Sequence, residues 1–63
     1  MGRPPMKQAY TVSYEKGGIE VQRYTITALN QVAAETEADN RFKRVHPELK
    51  VLDESVSRRV EAH

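Results

Sequence analysis

Hydrophobic and polar residues alternate along a stretch near the start of the chain. Residues 10–15 alternate over their whole length and are rich in β-branched and aromatic types, which is the pattern of a half-buried strand. Lys16-Gly17-Gly18 follows, and glycines accept the positive φ angles that a tight hairpin turn requires. The pattern therefore predicts a β-hairpin with a second strand over residues 19–27. One face of the first strand is apolar and carries Tyr10, Val12 and Tyr14. The other face is polar and carries Thr11, Ser13 and Glu15.

The second strand carries apolar residues on both faces. Ile19 and Val21 fall on one parity, whereas Tyr24, Ile26 and Ala28 fall on the other, so both sets cannot face one core unless a bulge intervenes. Either a bulge near Gln22-Arg23 returns both sets to the core, or Ile19 and Val21 lie on the open face of the sheet. We favour the second interpretation, because the polar face of the first strand also leaves a surface that a partner could cover.

A stripe of apolar residues at helical spacing follows the second strand. It predicts a helix over residues 31–45 that packs on the sheet through Ala34, Ala38, Phe42 and Val45. Asn30 is the better N-cap, because its side-chain oxygen can accept a hydrogen bond from the first turn, and Thr27 is the alternative. Pro47 cannot continue the helix and restricts His46, so the helix is expected to end there.

A third strand is predicted over residues 49–56. Its apolar residues also mix parities, so either Leu49 and Val51 or Leu52 and Val56 face inward. The order strand–strand–helix–strand predicts an α+β fold of the ββαβ type, in which one helix covers one face of a three-stranded sheet of order 2-1-3. The single domain is expected over residues 8–57, between a flexible arm at residues 1–7 and a polar tail at residues 58–63.

Length and composition limit the classes of function. A chain of 63 residues buries only about 60% of its unfolded surface, so partner binding or oligomerisation is an expected source of stability. The absence of cysteine excludes disulfides and thiolate metal sites. Ten basic and nine acidic residues give a net charge of +1, without the strong basic excess of a typical nucleic-acid binder. Neither a membrane-spanning run nor a signal peptide is recognisable, so we expect a soluble, cytoplasmic protein.

The residues that could carry chemistry do not form a catalytic pattern. His46 has no histidine or cysteine near it in sequence and is interpreted as a solvent-facing residue at the helix end. Glu35, Glu37 and Asp39 occupy alternate helical positions, which point to different sides, and are interpreted as a solvated face. Gly17-Gly18 leads into a strand rather than a helix, so it is not a phosphate-binding loop. We expect no enzyme activity, metal, cofactor or small-molecule substrate.

Two surfaces remain as candidates for binding a macromolecule. The open face or an edge strand of the sheet is expected to contact a protein partner, or a second copy of the chain in a homodimer. The candidate residues are Val21, Arg23 and Thr25 on this face, with Arg58 and Arg59 as a charged rim. The alternative is weak nucleic-acid binding by basic residues at the helix C-terminus, namely Arg41, Lys43, Arg44 and Lys50.

The same elements resemble a group of small proteins. The run from Tyr24 to Asn30, the helix motif Ala34-x-x-x-Ala38-x-x-x-Phe42 and His46-Pro47 are similar to those of small bacterial and phage ββαβ proteins, such as short phage inhibitors of host RNA polymerase. Those proteins end their last strand near arginines, and Ser57-Arg58-Arg59 stands at the comparable place. The resemblance covers residues 19–59. It implies an accessory protein of a phage or mobile element that binds a protein partner.

Overall fold

The computed structural model describes residues 6–49 and 56–63, which form an antiparallel sheet with a helix packed on one face. The elements are β1 (Gln8–Lys16), β2 (Ile19–Ala28), α1 (Gln31–Val45) and β3 (Val56–Ala62). The strand order is β2-β1-β3, and β1 pairs antiparallel with both neighbours. The predicted α+β fold, its order of elements and its sheet order are confirmed.

The hairpin between β1 and β2 turns at Gly17-Gly18. Both glycines have positive φ, 61° and 79°, as a two-residue hairpin turn of the primed type requires. Lys16 pairs with Ile19 across this turn. Any other residue would be strained here by its own backbone, because φ is positive; its neighbours would not obstruct it, since nothing lies within 4 Å of either Cβ position.

A β-bulge interrupts the register of β2. Tyr14 pairs with Gln22 and Glu15 pairs with Glu20, so Val21 is the extra residue. The bulge turns Val21 toward the core, where it is half-buried, whereas Ile19 remains 70% exposed near the turn. The prediction that Val21 lies on the open face is therefore wrong. A bulge is thus present, next to the expected position at Gln22-Arg23, and it brings Val21 to the core side. It does not bring Ile19 into the core.

Helix α1 has the predicted bounds. The Asn30 side-chain oxygen accepts from the backbone N–H of Ala33 at 2.8 Å, so Asn30 is the N-cap and the alternative, Thr27, lies within β2. At the other end the backbone N–H of His46 donates to the Phe42 carbonyl oxygen at 2.8 Å. Asn30 and His46 thus cap the helix at the two positions that the sequence indicated.

The core lies between α1 and one face of the sheet. Tyr14 and Phe42 stack at its centre, with ring centroids 4.2 Å apart and planes 20° from parallel. The buried apolar residues are Tyr10, Val12, Tyr14, Ile26, Ala28, Ala34, Ala38, Phe42 and Val56. Val45 is 56% exposed, so its predicted place in the stripe is wrong. His46, one residue later, packs against the Phe42 ring instead, at a centroid distance of 5.2 Å.

Strand β3 begins where the predicted third strand was expected to end. That prediction, residues 49–56, falls mostly on residues 50–55, which lie outside the described part of the chain. Residues 58–62, predicted as a polar tail, belong to β3, and the backbone N–H of His63 donates to the Ala9 carbonyl oxygen at 2.9 Å. The predicted domain end at residue 57 is therefore wrong. Of the predicted N-terminal arm, residues 1–5 lie outside the described part.

Candidate functional site

The side of the sheet opposite α1 is not covered by any element among residues 6–49 and 56–63. Because side chains alternate along a strand, Thr11, Ser13 and Glu15 of β1 point to this side. The register sets them in three rows that run from β2 through β1 to β3: Thr25–Thr11–Glu61, Arg23–Ser13–Arg59 and Glu20–Glu15–Ser57. These residues are called the open face below.

The middle row places a small buried residue between two arginines. Ser13 is only 8% exposed, although no element covers its side of the sheet within the described chain. Its cross-strand neighbours are Arg23 on β2 and Arg59 on β3. Both arginines line the same depression as Ser13, and an arginine stem can cover a small neighbour while its guanidinium group stays in water. The middle row thus has a small side chain at its centre and a cationic side chain on either side.

The two arginines differ in their partners. Arg23 Nε donates to Glu20 Oε1 at 3.0 Å, and its Nη2 lies 3.0 Å from the same oxygen, in a solvent-exposed pair. Arg59 makes no ion pair or side-chain hydrogen bond with the residues described. Exposed ion pairs contribute little free energy. As far as the described residues go, Arg59 is therefore available to an external anion, and Arg23 can exchange its glutamate for one at small cost.

A shallow depression of about 180 Å³ opens on this face. The His63 ring nitrogen Nε2 is hydrogen-bonded to Thr11 Oγ1 at its rim, and Gln8 Nε2 donates to the His63 carbonyl oxygen at 2.9 Å. The lining combines two guanidinium groups, three carboxylates, two hydroxyls and an imidazole, from Thr11, Ser13, Glu15, Glu20, Arg23, Arg59, Glu61 and His63. It is suited to polar, charge-paired contacts.

Arg58 lies on the other side of the sheet from Arg59 and faces the helix. Its side chain is 16% exposed; Nη1 donates to Asp39 Oδ2, and Nη2 lies 3.6 Å from Glu35 Oε2. The Tyr14 hydroxyl donates to the other oxygen of Asp39 at 2.5 Å. Burial, followed by this hydrogen bond, raises the pKa of Tyr14 far above its usual range. The prediction of Arg58 as part of an exposed rim is wrong, because it ties β3 to α1.

The acidic residues of α1 divide between two sides of the helix. Glu35 and Asp39 are four residues apart and so share a side, where both meet Arg58. Glu37 points elsewhere and pairs with Arg41 at 3.2 Å in solvent. The interpretation of all three as a solvated face is therefore correct only for Glu37.

His46 joins the end of α1 to β2. Its Nε2 lies 3.3 Å from Gln22 Oε1, and its Nδ1 lies 3.5 Å from Glu48 Oε1. The side chain is half-buried against Phe42, so the prediction of a solvent-facing histidine is wrong. Through these contacts His46 holds the end of α1 against β2.

The basic end of α1 is the alternative site. Lys43 and Arg44 are exposed in the last turn, where cations complement the helix dipole. The charge of Arg41 is offset by Glu37. Lys50 lies outside the described residues. Within the described part of the chain, this end thus has two exposed cations without an acidic partner, Lys43 and Arg44.

The open face contains three of the five residues predicted for protein binding. Arg23, Thr25 and Arg59 lie on it, whereas Val21 and Arg58 lie on the core side. Sequence reasoning missed Arg59 as the cross-strand neighbour of Ser13, along with the contributions of Glu61 and His63. The available signal was alternation in residues 56–62, where Val56, Arg58, Val60 and Ala62 share one face.

Other kinds of site find no support in the described residues. No cluster of three or more histidine, aspartate or glutamate side chains there could hold a metal ion. The 15-residue α1 is too short and too polar to cross a membrane, and the described chain contains no other helix. A comparison of the chain with protein-family models, curated proteins and solved structures finds no match.

Proposed function

We propose that this protein is a small, non-catalytic binding module that contacts a protein partner through the open face of its sheet. The observation that supports this most is the row Arg23–Ser13–Arg59, in which two arginines flank a depression on a face left uncovered by the described chain. Charged groups arranged in this way favour partner specificity and rapid association. A polar face also lets the protein exist without its partner in water.

A stable homodimer through this face is less well supported than a different partner. Obligate dimer interfaces are rich in apolar residues, whereas the rows of the open face contain only polar and charged ones. The large exposed apolar residues of the described chain are Met6, Ile19, Leu29, Val32 and Val45, and none belongs to these rows. Strand pairing at the β2 edge is also hindered, since the bulge at Val21 interrupts it.

Two charge-reversal variants test the proposal. Arg23→Glu with Arg59→Glu should abolish capture of the partner from an extract of the source organism, because both cations of the open face are inverted. Lys43→Glu with Arg44→Glu makes the same change of net charge on the helix and should leave capture intact. Capture that survives the first pair of substitutions but not the second would contradict a role for the open face.

Nucleic-acid binding by the helix end is the second candidate, because Lys43 and Arg44 are both exposed there. It predicts that labelled DNA or RNA oligonucleotides bind the wild type, with an affinity that falls steeply as salt is added. Binding should be lost in the Lys43→Glu, Arg44→Glu variant. A cytoplasmic, phage-type accessory role, suggested by the resemblance of residues 19–59, remains a prediction.

A further inference from the structure

The charges of the open face alternate along the strand direction. Going along β1, the row at Glu15 is negative, since it also contains Glu20; the row at Ser13 is positive through Arg23 and Arg59. The row at Thr11 is negative again through Glu61. The face therefore presents a negative, a positive and a negative band in succession.

The spacing of these bands matches that of an extended polypeptide. Side chains on one face of a strand recur every second residue, about 7 Å apart. An extended segment that lies along β1 repeats its own side chains at the same interval. Its residues at positions i, i+2 and i+4 would therefore meet the three bands one by one.

We infer that the partner segment carries an acidic side chain with a basic side chain two residues before it and another two residues after it. This inference rests on the proposed function and names the chemistry of the partner. The central carboxylate lies over Ser13 and accepts hydrogen bonds from Arg59 and Arg23. The flanking cations meet Glu61 on one side and the pair Glu15 and Glu20 on the other.

Two features of the site fit this occupant. Ser13 is small, so it leaves room for a carboxylate between the two guanidinium groups, and an arginine fork pairs well with a carboxylate. When Arg23 turns to the ligand it releases Glu20, which then becomes available to a flanking cation of the partner. A nucleic-acid backbone is a poor alternative, because the three glutamates repel phosphate.

Two short synthetic peptides of the same length test the inference. One has the pattern Lys-Thr-Glu-Thr-Lys and the other Glu-Thr-Lys-Thr-Glu, each flanked by threonines and capped at both ends. In an NMR titration of the ¹⁵N-labelled full chain at low salt, the first peptide should shift the amide signals of Thr11, Ser13 and Arg59. Its affinity should exceed that of the second peptide about tenfold, as expected for the exchange of a few exposed charge pairs.

A charge-swapped protein makes the test sharper. Arg23→Glu with Arg59→Glu should lose the preference for a central glutamate and should bind Lys-Thr-Lys-Thr-Lys better than the wild type does. Lys43→Glu with Arg44→Glu should behave as the wild type. Equal affinity of the wild type for the first two peptides, or shifts confined to the helix end, would overturn the inference.

The outcome for the peptides is separable from the proposed function. If no peptide shows a preference but partner capture still requires Arg23 and Arg59, then the alternating-charge inference is wrong and the open face remains the contact surface. If capture is also independent of both arginines, the proposed function is wrong as well. If an oligonucleotide bound the open face more tightly than any of the peptides, the inference would be wrong and this face would be a nucleic-acid site.

Discussion

Asp39 connects three elements through two oxygens. One accepts from the Tyr14 hydroxyl of β1 and the other from the Arg58 guanidinium of β3, while Asp39 itself belongs to α1. The cluster lies at the edge of the aromatic core formed by Tyr14 and Phe42. The side chains of Arg58 and Asp39 are both largely removed from water, at 16% and 21% exposed, so solvent replaces a lost partner only in part and breaking the pair from one side is costly.

Replacing Asp39 with alanine should therefore lower the free energy of unfolding by about 2–3 kcal/mol, since Arg58 keeps only its longer contact with Glu35 and the Tyr14 hydroxyl loses its acceptor. Urea denaturation followed by circular dichroism measures this change. Glu37→Ala is the matched control on the same helix; it removes an exposed pair with Arg41 and should change stability by less than about 0.5 kcal/mol. An equal loss of unfolding free energy in the two variants would show that the Asp39 cluster stabilises the fold no more than an exposed ion pair does.

Tyr14 also makes stability depend on alkaline pH. Its pKa is raised in the folded state, first by burial and then by the bond to Asp39, whereas the unfolded chain has the ordinary value near 10. Above that value the unfolded state releases a proton that the folded state retains, so rising pH favours unfolding. Below it both states are protonated, and the contribution of Tyr14 is fully present.

The stability of the wild type relative to Tyr14→Phe should consequently fall as the pH rises above about 10, with a slope of up to about 1.4 kcal/mol per pH unit. Urea denaturation of both proteins at a series of pH values measures the difference. Using the phenylalanine variant as the reference cancels every pH-dependent contribution that the two proteins share. Parallel stability curves for the two proteins would contradict the raised pKa.

Among the elements, the hairpin and the helix were predictable because local signals agree with the tertiary packing. Positive φ at Gly17 and Gly18, the Asn30 cap and the stop at Pro47 each act within a few residues. Apolar alternation in residues 10–15 matched the face that packs on α1. Local chemistry therefore specifies β1, the turn and both ends of the helix.

Strand β3 was misplaced because one of its core-side positions is a charged residue. In the alternating set Val56, Arg58, Val60 and Ala62, the arginine gives the stretch the appearance of a polar tail. Its inward placement depends on Glu35 and Asp39, which are supplied by another element. No pattern within residues 56–62 could show that these carboxylates would be there.

The same dependence explains how much of the candidate site could be predicted. Arg23 and Thr25 were assigned to the open face from the parity of β2, which is a local property. Once residues 56–62 form a strand, alternation alone sends Arg58 and Arg59 to opposite sides, whereas the pairing of Arg59 with Ser13 depends on the register of β3 against β1. Val21 was misassigned because the bulge that turns it inward depends on the partner strand.

At the scale of the whole molecule, β3 contributes to both the core and the open face. On the core side it supplies Val56 and Arg58, and on the other side it supplies the Arg59 that flanks Ser13. Without β3, the sheet would be a two-stranded hairpin with β1 as an unpaired edge; an isolated hairpin is at most marginally stable, so the fold would depend on packing against α1 alone. A chain of this length has only about 3–9 kcal/mol of stability in total. The candidate site and the fold therefore depend on the same seven-residue strand.

A chain that ends at Ser57 should consequently fail to fold, because it loses the Arg58 ion pairs, the packing of Val60 and most of the pairing with β1. Its ¹H–¹⁵N NMR spectrum should show the narrow amide dispersion of an unfolded chain, and its thermal unfolding should lack a cooperative transition. A chain that ends at Ala62 is the control: it retains β3 and loses only the His63 contacts, so it should stay folded and be less stable by about 1 kcal/mol. A dispersed spectrum and a cooperative transition for the shorter chain would mean that residues 58–63 are dispensable, as a domain end at residue 57 requires.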